Sequence, residues 1–307
     1  MRILHLADIR RLLDYRAAID SMRDALIANS RGDCATPMPM HLDIPAESAE
    51  VHMKSSYRMG GKYFCLKIAS TFPNNRERGL STGAGMMLLS SAETGAPVAL
   101  LQDEGHLTDV RTAAVAAMIA RELGRRDEVL GILGTGIQAR LQAHLHAKVL
   151  PLRHIILWGR SPERAAECAR DLEGIAQVTV VNHPGDVPRF ARLIVTATSS
   201  RAPLIAADDI QPGTHISAVG SDGPGKQELD PEILRCADLL LVDSSRQCFH
   251  LGELQHAPDE AQRAVEFTGQ ALDVGRLSVA DFTGLGAEDL YIAEAVYERS
   301  LLENPAV

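Results

Sequence analysis

Three charged side chains stand where ordinary packing would not put them. Lys67 lies inside the apolar run Tyr63-Phe64-Cys65-Leu66-Lys67-Ile68-Ala69. A lysine there either snorkels to a surface or is held in a site, where its ammonium would bind an anion. Arg111 falls in the first turn of a helix opened by Thr108-Asp109-Val110-Arg111-Thr112. Arginine is an ordinary helix former, which is one account of it. A cation gains nothing from the dipole at a helix N-terminus, so an anion to be bound is the other. Asp222 sits in Gly220-Ser221-Asp222-Gly223-Pro224-Gly225-Lys226-Gln227-Glu228, where glycines and a proline fix an irregular backbone. Such an Asp caps local N–H groups, or acts as a general acid/base where the loop faces a ligand cleft.

A fourth feature is glycine-rich. Residues 129–133 read as a buried strand, Gly134-Thr135-Gly136 turns the chain, and Ile137-Gln138-Ala139-Arg140 opens a helix. Strand–GxGxxA–helix is the order of a dinucleotide-binding turn, with the pyrophosphate on the helix N-terminus. Alone the motif is weak, because such turns also serve packing. At the end of the next strand, an NAD-selective site carries Asp or Glu for the ribose hydroxyls. Here Gly159, Arg160 and Ser161 stand instead. Arg160 and Ser161 suit a 2′-phosphate, which favours NADP(H) and leaves NAD(H) possible. The plain alternative is a solvated Arg160, with Ser161 as N-cap and Pro162 as the first helical residue.

The elements that must position these groups divide in two. Residues 8–29 repeat apolar side chains at helical spacing, and 36–41 run extended around two prolines. The runs 51–57 and 63–69 flank Gly60-Gly61 as a hairpin, and 83–89 with 98–101 form another pair. An Ala-rich helix follows, from 108 to about 123. After that, strands at 129–133, 154–158, 178–181, 193–197, 215–219 and 239–242 alternate with helices that include 136–149, 162–172 and 231–236, which implies a parallel sheet covered on both faces. The fourth strand closes on Thr196-Ala197-Thr198-Ser199-Ser200, either a polar loop or the rim passing a nicotinamide ribose. A final amphipathic helix spans 284–302 and should return to the N-terminal domain. The fold class is therefore α/β: a Rossmann dinucleotide-binding domain at 116–279, inserted in a split α+β domain of 1–115 and 280–307.

Composition bounds the partners. The 307 residues carry 46% apolar and 23% charged side chains and a net charge of −9. That supports a sizeable core and argues against general nucleic-acid binding. The five cysteines show no CxxC pair, so neither a disulfide framework nor a metal knuckle is expected. Asp8 and Arg10 interrupt any N-terminal apolar stretch, and no run is long enough for a membrane span. A cytoplasmic protein is expected.

Taken together, LGTGIQA, VTATSS, VGSDGPGKQEL, LTDVRTAA and GLGAEDL, each in place along nearly the whole chain, resemble the ornithine cyclodeaminase/mu-crystallin family. The resemblance implies a Rossmann domain within a split substrate-binding and dimerisation domain, a nicotinamide cofactor, a small amino or imino acid substrate and a homodimer. By motif, Asp222 matches the catalytic acid/base and Lys67 the lysine on the substrate carboxylate. Arg111 matches an arginine at the junction of cofactor and substrate. Gly134, Gly136, Ile137 and Gln138 match the pyrophosphate turn, and Thr198, Val219, Gly220, Ser221 and Lys226 the other cofactor contacts, with Thr82 also aligned to one. Phe282 and Thr283 match the loop over nicotinamide and substrate. His41, His52, Met53 and Thr283 line the pocket or simply pack.

Where cyclodeaminases carry Glu-Met, this chain has His52-Met53, and no Arg stands near Pro39. Residues 67–75 and LGTGIQARLQ are more similar to the imine reductases and amino-acid dehydrogenases of the family. The expected activity is NAD(P)-dependent interconversion of a small L-amino acid with its imino or keto form, or reduction of a cyclic imino acid. The alternatives are an ornithine cyclodeaminase and a non-catalytic NADP-binding protein of crystallin type. No metal is expected.

Overall fold

A computed structural model of the chain describes residues 1–272 and 275–303. Residues 273–274 and 304–307, assigned above to the two domains, lie outside the described residues. The chain forms two compact units, 1–111 with 285–307 and 112–284. The divisions fall at 111/112 and 284/285, where the sequence reading set 115/116 and 279/280.

The first unit opens with β1 (Arg2–His5), α1 (Leu6–Leu12) and α2 (Tyr15–Ser30). One helix was expected over residues 8–29. It is two, because Leu13 is extended and the Asp14 carboxylate caps α2 by accepting from Arg16 N and Ala17 N at 2.8 and 3.0 Å. Then come β2 (Cys34–Ala35), β3 (Met40–Ile44), β4 (Ala49–Arg58), β5 (Tyr63–Thr71), β6 (Gly83–Ser91) and β7 (Pro97–Gln102). The sheet order is β1-β7-β6-β5-β4-β2, with β3 also on β4. Neighbours are antiparallel except β1, which runs parallel to β7. The pairing Lys54↔Lys67↔Met87↔Leu101 defines one face. Adjacent strand residues alternate faces, and this face is buried: Cys65, Lys67, Met87, Leu89 and Leu101 are all at most 2% exposed. The opposite face carries Phe64, Leu66, Ile68 and Met86, each more than a third exposed. α3 (His106–Glu122) leaves the first unit at Arg111 and continues into the second.

The second unit contains β8 (Val129–Leu133), α4 (Ile137–Val149), β9 (His154–Trp158), α5 (Pro162–Leu172), β10 (Gln177–Val180), α6 (Val187–Phe190), β11 (Leu193–Thr196), β12 (Arg201–Ile205), β13 (Thr214–Ala218), β14 (Gln227–Leu229), α7 (Pro231–Cys236), β15 (Leu239–Val242), α8 (Ser245–Leu251), β16 (Val265–Glu266) and β17 (Leu277–Asp281). Its main sheet is parallel, ordered β10-β9-β8-β11-β13-β17-β15-β16. The first five strands give the 3-2-1-4-5 order of a Rossmann sheet. Leu133, Ile156, Ile194, Ile216, Val242 and Val279 form its core. Strand β17 was not expected. Its Ser278 and Asp281 break the apolar pattern, yet both are fully buried. Ser278 Oγ bonds His215 Nδ1 at 2.9 Å, and Asp281 accepts two backbone N–H groups.

The final helix, α9 (Gly286–Glu303), belongs to the first unit, where it packs on β4, β5 and α2. Among the described residues no helix is long and apolar enough to cross a membrane, and the five cysteines are free thiols.

Candidate active site

In the second unit the predicted cofactor residues gather at the carboxyl edge of the parallel sheet. Gly134 follows β8 with φ +127°, and a Cβ there would stand 2.4 Å from the Ala197 carbonyl oxygen. Only glycine tolerates both. Gly136 is the N-cap of α4; no side chain caps it, and a Cβ at 136 would meet nothing within 4 Å. Ile137 and Gln138 open the first turn of α4, the end of a helix that suits a diphosphate. Arg140 braces the turn, donating to Thr135 O at 2.9 Å and Gly136 O at 3.2 Å while paired with Asp171. These residues fit the phosphates of a dinucleotide.

After β9, Arg160 is exposed. Ser161 caps α5, accepting from Arg164 N at 3.3 Å and donating to Glu163 Oε2 at 2.6 Å. That bond holds the Glu163 carboxyl below its usual range. The sequence reading had not weighed Glu163 beside Ser161.

Thr198 follows β11, and Val219, Gly220 and Ser221 follow β13. The loop behind them is pinned: Ser221 Oγ donates to Lys226 O, Gln255 Nε2 bonds Gly223 O and Lys226 O, and His256 Nε2 lies 2.8 Å from Lys226 O. Asp222 Oδ1 is 2.7 Å from Lys226 Nζ, with the Asp222 side chain 45% exposed. Phe282 N donates to Ala218 O, which sets β17 beside β13. The Thr283 hydroxyl receives Gln247 Nε2 at 2.8 Å and reaches Asp243 Oδ1 at 3.1 Å, so this residue is tied into the fold as well as lying in the predicted loop.

In the first unit, β5 and α3 bring Lys67 and Arg111 to one carboxylate. Asp289 Oδ1 accepts from Arg111 Nε at 3.2 Å, and its Oδ2 stands 3.3 Å from Lys67 Nζ. Arg111 also donates to Glu288 Oε2 at 3.0 Å. All four groups are at most 5% exposed. Glu288 and Asp289 lie in the first turn of α9, a place where acids are common for dipole reasons alone. Sequence reasoning quoted them within GLGAEDL and missed their role. The cluster also touches its surroundings: burial, then the Asp289 charge, pushes the Cys65 thiol well up.

The other substrate candidates separate. His52 shares the face of Lys67, while Met53 pairs with Met40 and Ile68 on the opposite face. Side chains alternate along a strand, so His52 and Met53 do not both face Lys67's side. Thr82 precedes β6, where its carbonyl accepts from Phe72 N. Lys67 and Arg111 lie in one unit, and Asp222 with the dinucleotide edge in the other.

The profile of the ornithine cyclodeaminase/mu-crystallin family matches residues 1–304. The chain belongs to that family. It is 30% identical to the alanine dehydrogenase of Archaeoglobus fulgidus, over 98% of this chain and 96% of the relative. Two solved structures of family-like architecture superpose closely. One is an archaeal alanine dehydrogenase dimer with bound NAD (TM-score 0.90, 28% identity, 100% of this chain and 98% of that one). The other is the iminosuccinate reductase of Paracoccus denitrificans in complex with NAD+ (TM-score 0.88, 27% identity, 99% and 97%).

Proposed function

We propose that this family member is an NAD(P)-dependent oxidoreductase acting on C–N bonds, interconverting a small L-amino acid with its imino or keto form or reducing an imino acid. The observation that carries the reading is the buried cluster in which Lys67 and Arg111 converge on Asp289. Two cations held together in a buried cluster suit a substrate carboxylate. The alanine dehydrogenase and iminosuccinate reductase relatives support the substrate class.

A nicotinamide supplies or accepts the hydride at the substrate carbon when bound. The chain's own part is positional and protic. Lys67 and Arg111 hold the carboxylate and so fix the carbon that reacts. Asp222 gives a proton to nitrogen in the reductive direction and takes one in the oxidative direction. Gly134, Gly136, Ile137 and Gln138 hold the diphosphate. Arg160 takes the 2′-phosphate, which favours NADP(H) over NAD(H).

The test mixes the protein with NADPH or NADH and a panel of imino acids, and of keto acids with ammonia, and follows loss of reduced-nicotinamide absorbance. Turnover with at least one pair is expected, faster with NADPH. A folded, cofactor-binding protein that turns over none of them would sink the proposal. Ammonia released from ornithine with only catalytic cofactor would assign a cyclodeaminase instead.

We also propose a homodimer built on the open face of the seven-stranded sheet, where Phe64, Leu66, Ile68 and Met86 are exposed side by side. Apolar patches of this kind mark interfaces, and the archaeal alanine dehydrogenase is a dimer. Sedimentation equilibrium should give a dimer for the native chain and a monomer for Leu66→Lys/Ile68→Glu. A native monomer at micromolar concentration would refute it.

A further inference from the structure

Glu228 is fully buried on β14, and its carboxylate accepts four hydrogen bonds. Oε1 takes Thr198 N at 2.6 Å and Thr198 Oγ1 at 2.7 Å. Oε2 takes Thr196 Oγ1 at 2.7 Å and Gly220 N at 3.0 Å. One side chain thus ties the loop after β11 to the loop after β13. The two loops touch: a Cβ on Gly220 would stand 2.3 Å from the Thr198 carbonyl oxygen and 2.5 Å from Glu228 Oε2.

Glu228 is itself held from behind. Glu253 accepts Glu228 N at 2.7 Å and Leu229 N at 3.2 Å, and Asp281 accepts Glu253 N at 2.9 Å and Leu254 N at 3.0 Å. Each carboxylate clamps two consecutive backbone N–H groups of the next segment. Burial opposes these charges: it pushes Glu228 and Asp281 each up to about 7, against the hydrogen bonds that pull them down. A series of buried acids so fully engaged in bonding loop backbone is retained at a desolvation cost.

In a Rossmann sheet of this order the dinucleotide lies across the point where strand order reverses. On that rule the residues of β8 and β9 would hold the adenosine half, and those after β11 and β13 the nicotinamide half. We infer that Glu228 is the positioning residue of the nicotinamide half of the site, holding the Thr198 and Gly220 loops in binding register without touching the cofactor. The inference rests on the dinucleotide reading above.

Glutamine at 228 has one acceptor oxygen. Hydroxyls can rotate to suit its NH2 end, but backbone N–H groups cannot, so either Thr198 N or Gly220 N loses its acceptor. The experiment measures affinity for NADPH, NADH and ADP with its 2′-phosphate form, in wild type and E228Q, beside circular dichroism of both. E228Q should bind the dinucleotides at least about tenfold more weakly, with ADP affinity within about twofold of wild type because ADP lacks the nicotinamide ribose and its turn is untouched. Equal affinity for dinucleotides, or equal loss for dinucleotides and ADP, would overturn the inference. Thr196→Val removes one of the four donors and no predicted cofactor contact. It should show the same split at about threefold, and it carries the test should E228Q fail to fold. A wild-type protein that binds ADP but no nicotinamide dinucleotide would overturn the dinucleotide reading itself, and this inference with it.

Discussion

An Asp222→Asn variant should lose about a thousandfold in kcat while binding nicotinamide cofactor nearly as the native protein does. Proton transfer by a positioned side chain contributes roughly a hundredfold to ten-thousandfold. Asn keeps the shape of Asp222 and an acceptor oxygen for Lys226, whose Nζ lies 2.7 Å away. The loop is pinned independently by Gln255 and His256. Geometry should therefore survive while the proton donor and acceptor is lost. Steady-state rates with the best substrate pair, beside cofactor affinity from fluorescence, separate the two effects. A kcat within tenfold of the native value would remove Asp222 from the proton-transfer role.

The second large effect is on stability. Asp289→Ala should destabilise the first unit by about 3–5 kcal/mol, because breaking a buried ion pair leaves charge uncompensated in a medium that solvates it poorly. Asp289 joins Lys67 and Arg111 with one oxygen to each. Its loss removes the carboxylate that the two buried cations share. The chain supplies its own probes: all five tyrosines (15, 57, 63, 291 and 297) lie in the first unit and the single tryptophan, Trp158, in the second. Denaturant unfolding followed by tyrosine and by tryptophan signals should shift chiefly the first. A shift under about 1 kcal/mol, the ordinary range for an exposed pair, would show that the cluster does not bear on the fold. Asp289→Asn should fall between the two, since it keeps the packing and loses the charge.

Much of this protein follows from its sequence by itself. Period and punctuation located six of the eight strands of the parallel sheet because each is a short apolar run bounded by turn residues. Gly134 and Gly136 marked the first turn because backbone approach demands glycine wherever it occurs. Lys67, Arg111 and Asp222 stood out because charge in an apolar strand, at the wrong helix end or in a glycine-fixed loop is locally unexplained. What the sequence could not decide depended on residues far apart in the chain. Asp289 meets Arg111 across 178 positions, and in its own helix it reads as an ordinary first-turn acid. Glu228 looked like one more polar residue at a loop's end, and its four donors come from Thr196 at the end of β11, Thr198 beyond it and Gly220 at the start of its own loop. The strand β17 was hidden because Ser278 and Asp281 are satisfied by His215 and by the backbone of 253 and 254. Met53 illustrates the same limit on a smaller scale: only the β4–β5 register shows that it and His52 lie on opposite faces of the sheet. Local chemistry announces that a side chain needs a partner, and only the tertiary fold names which one answers.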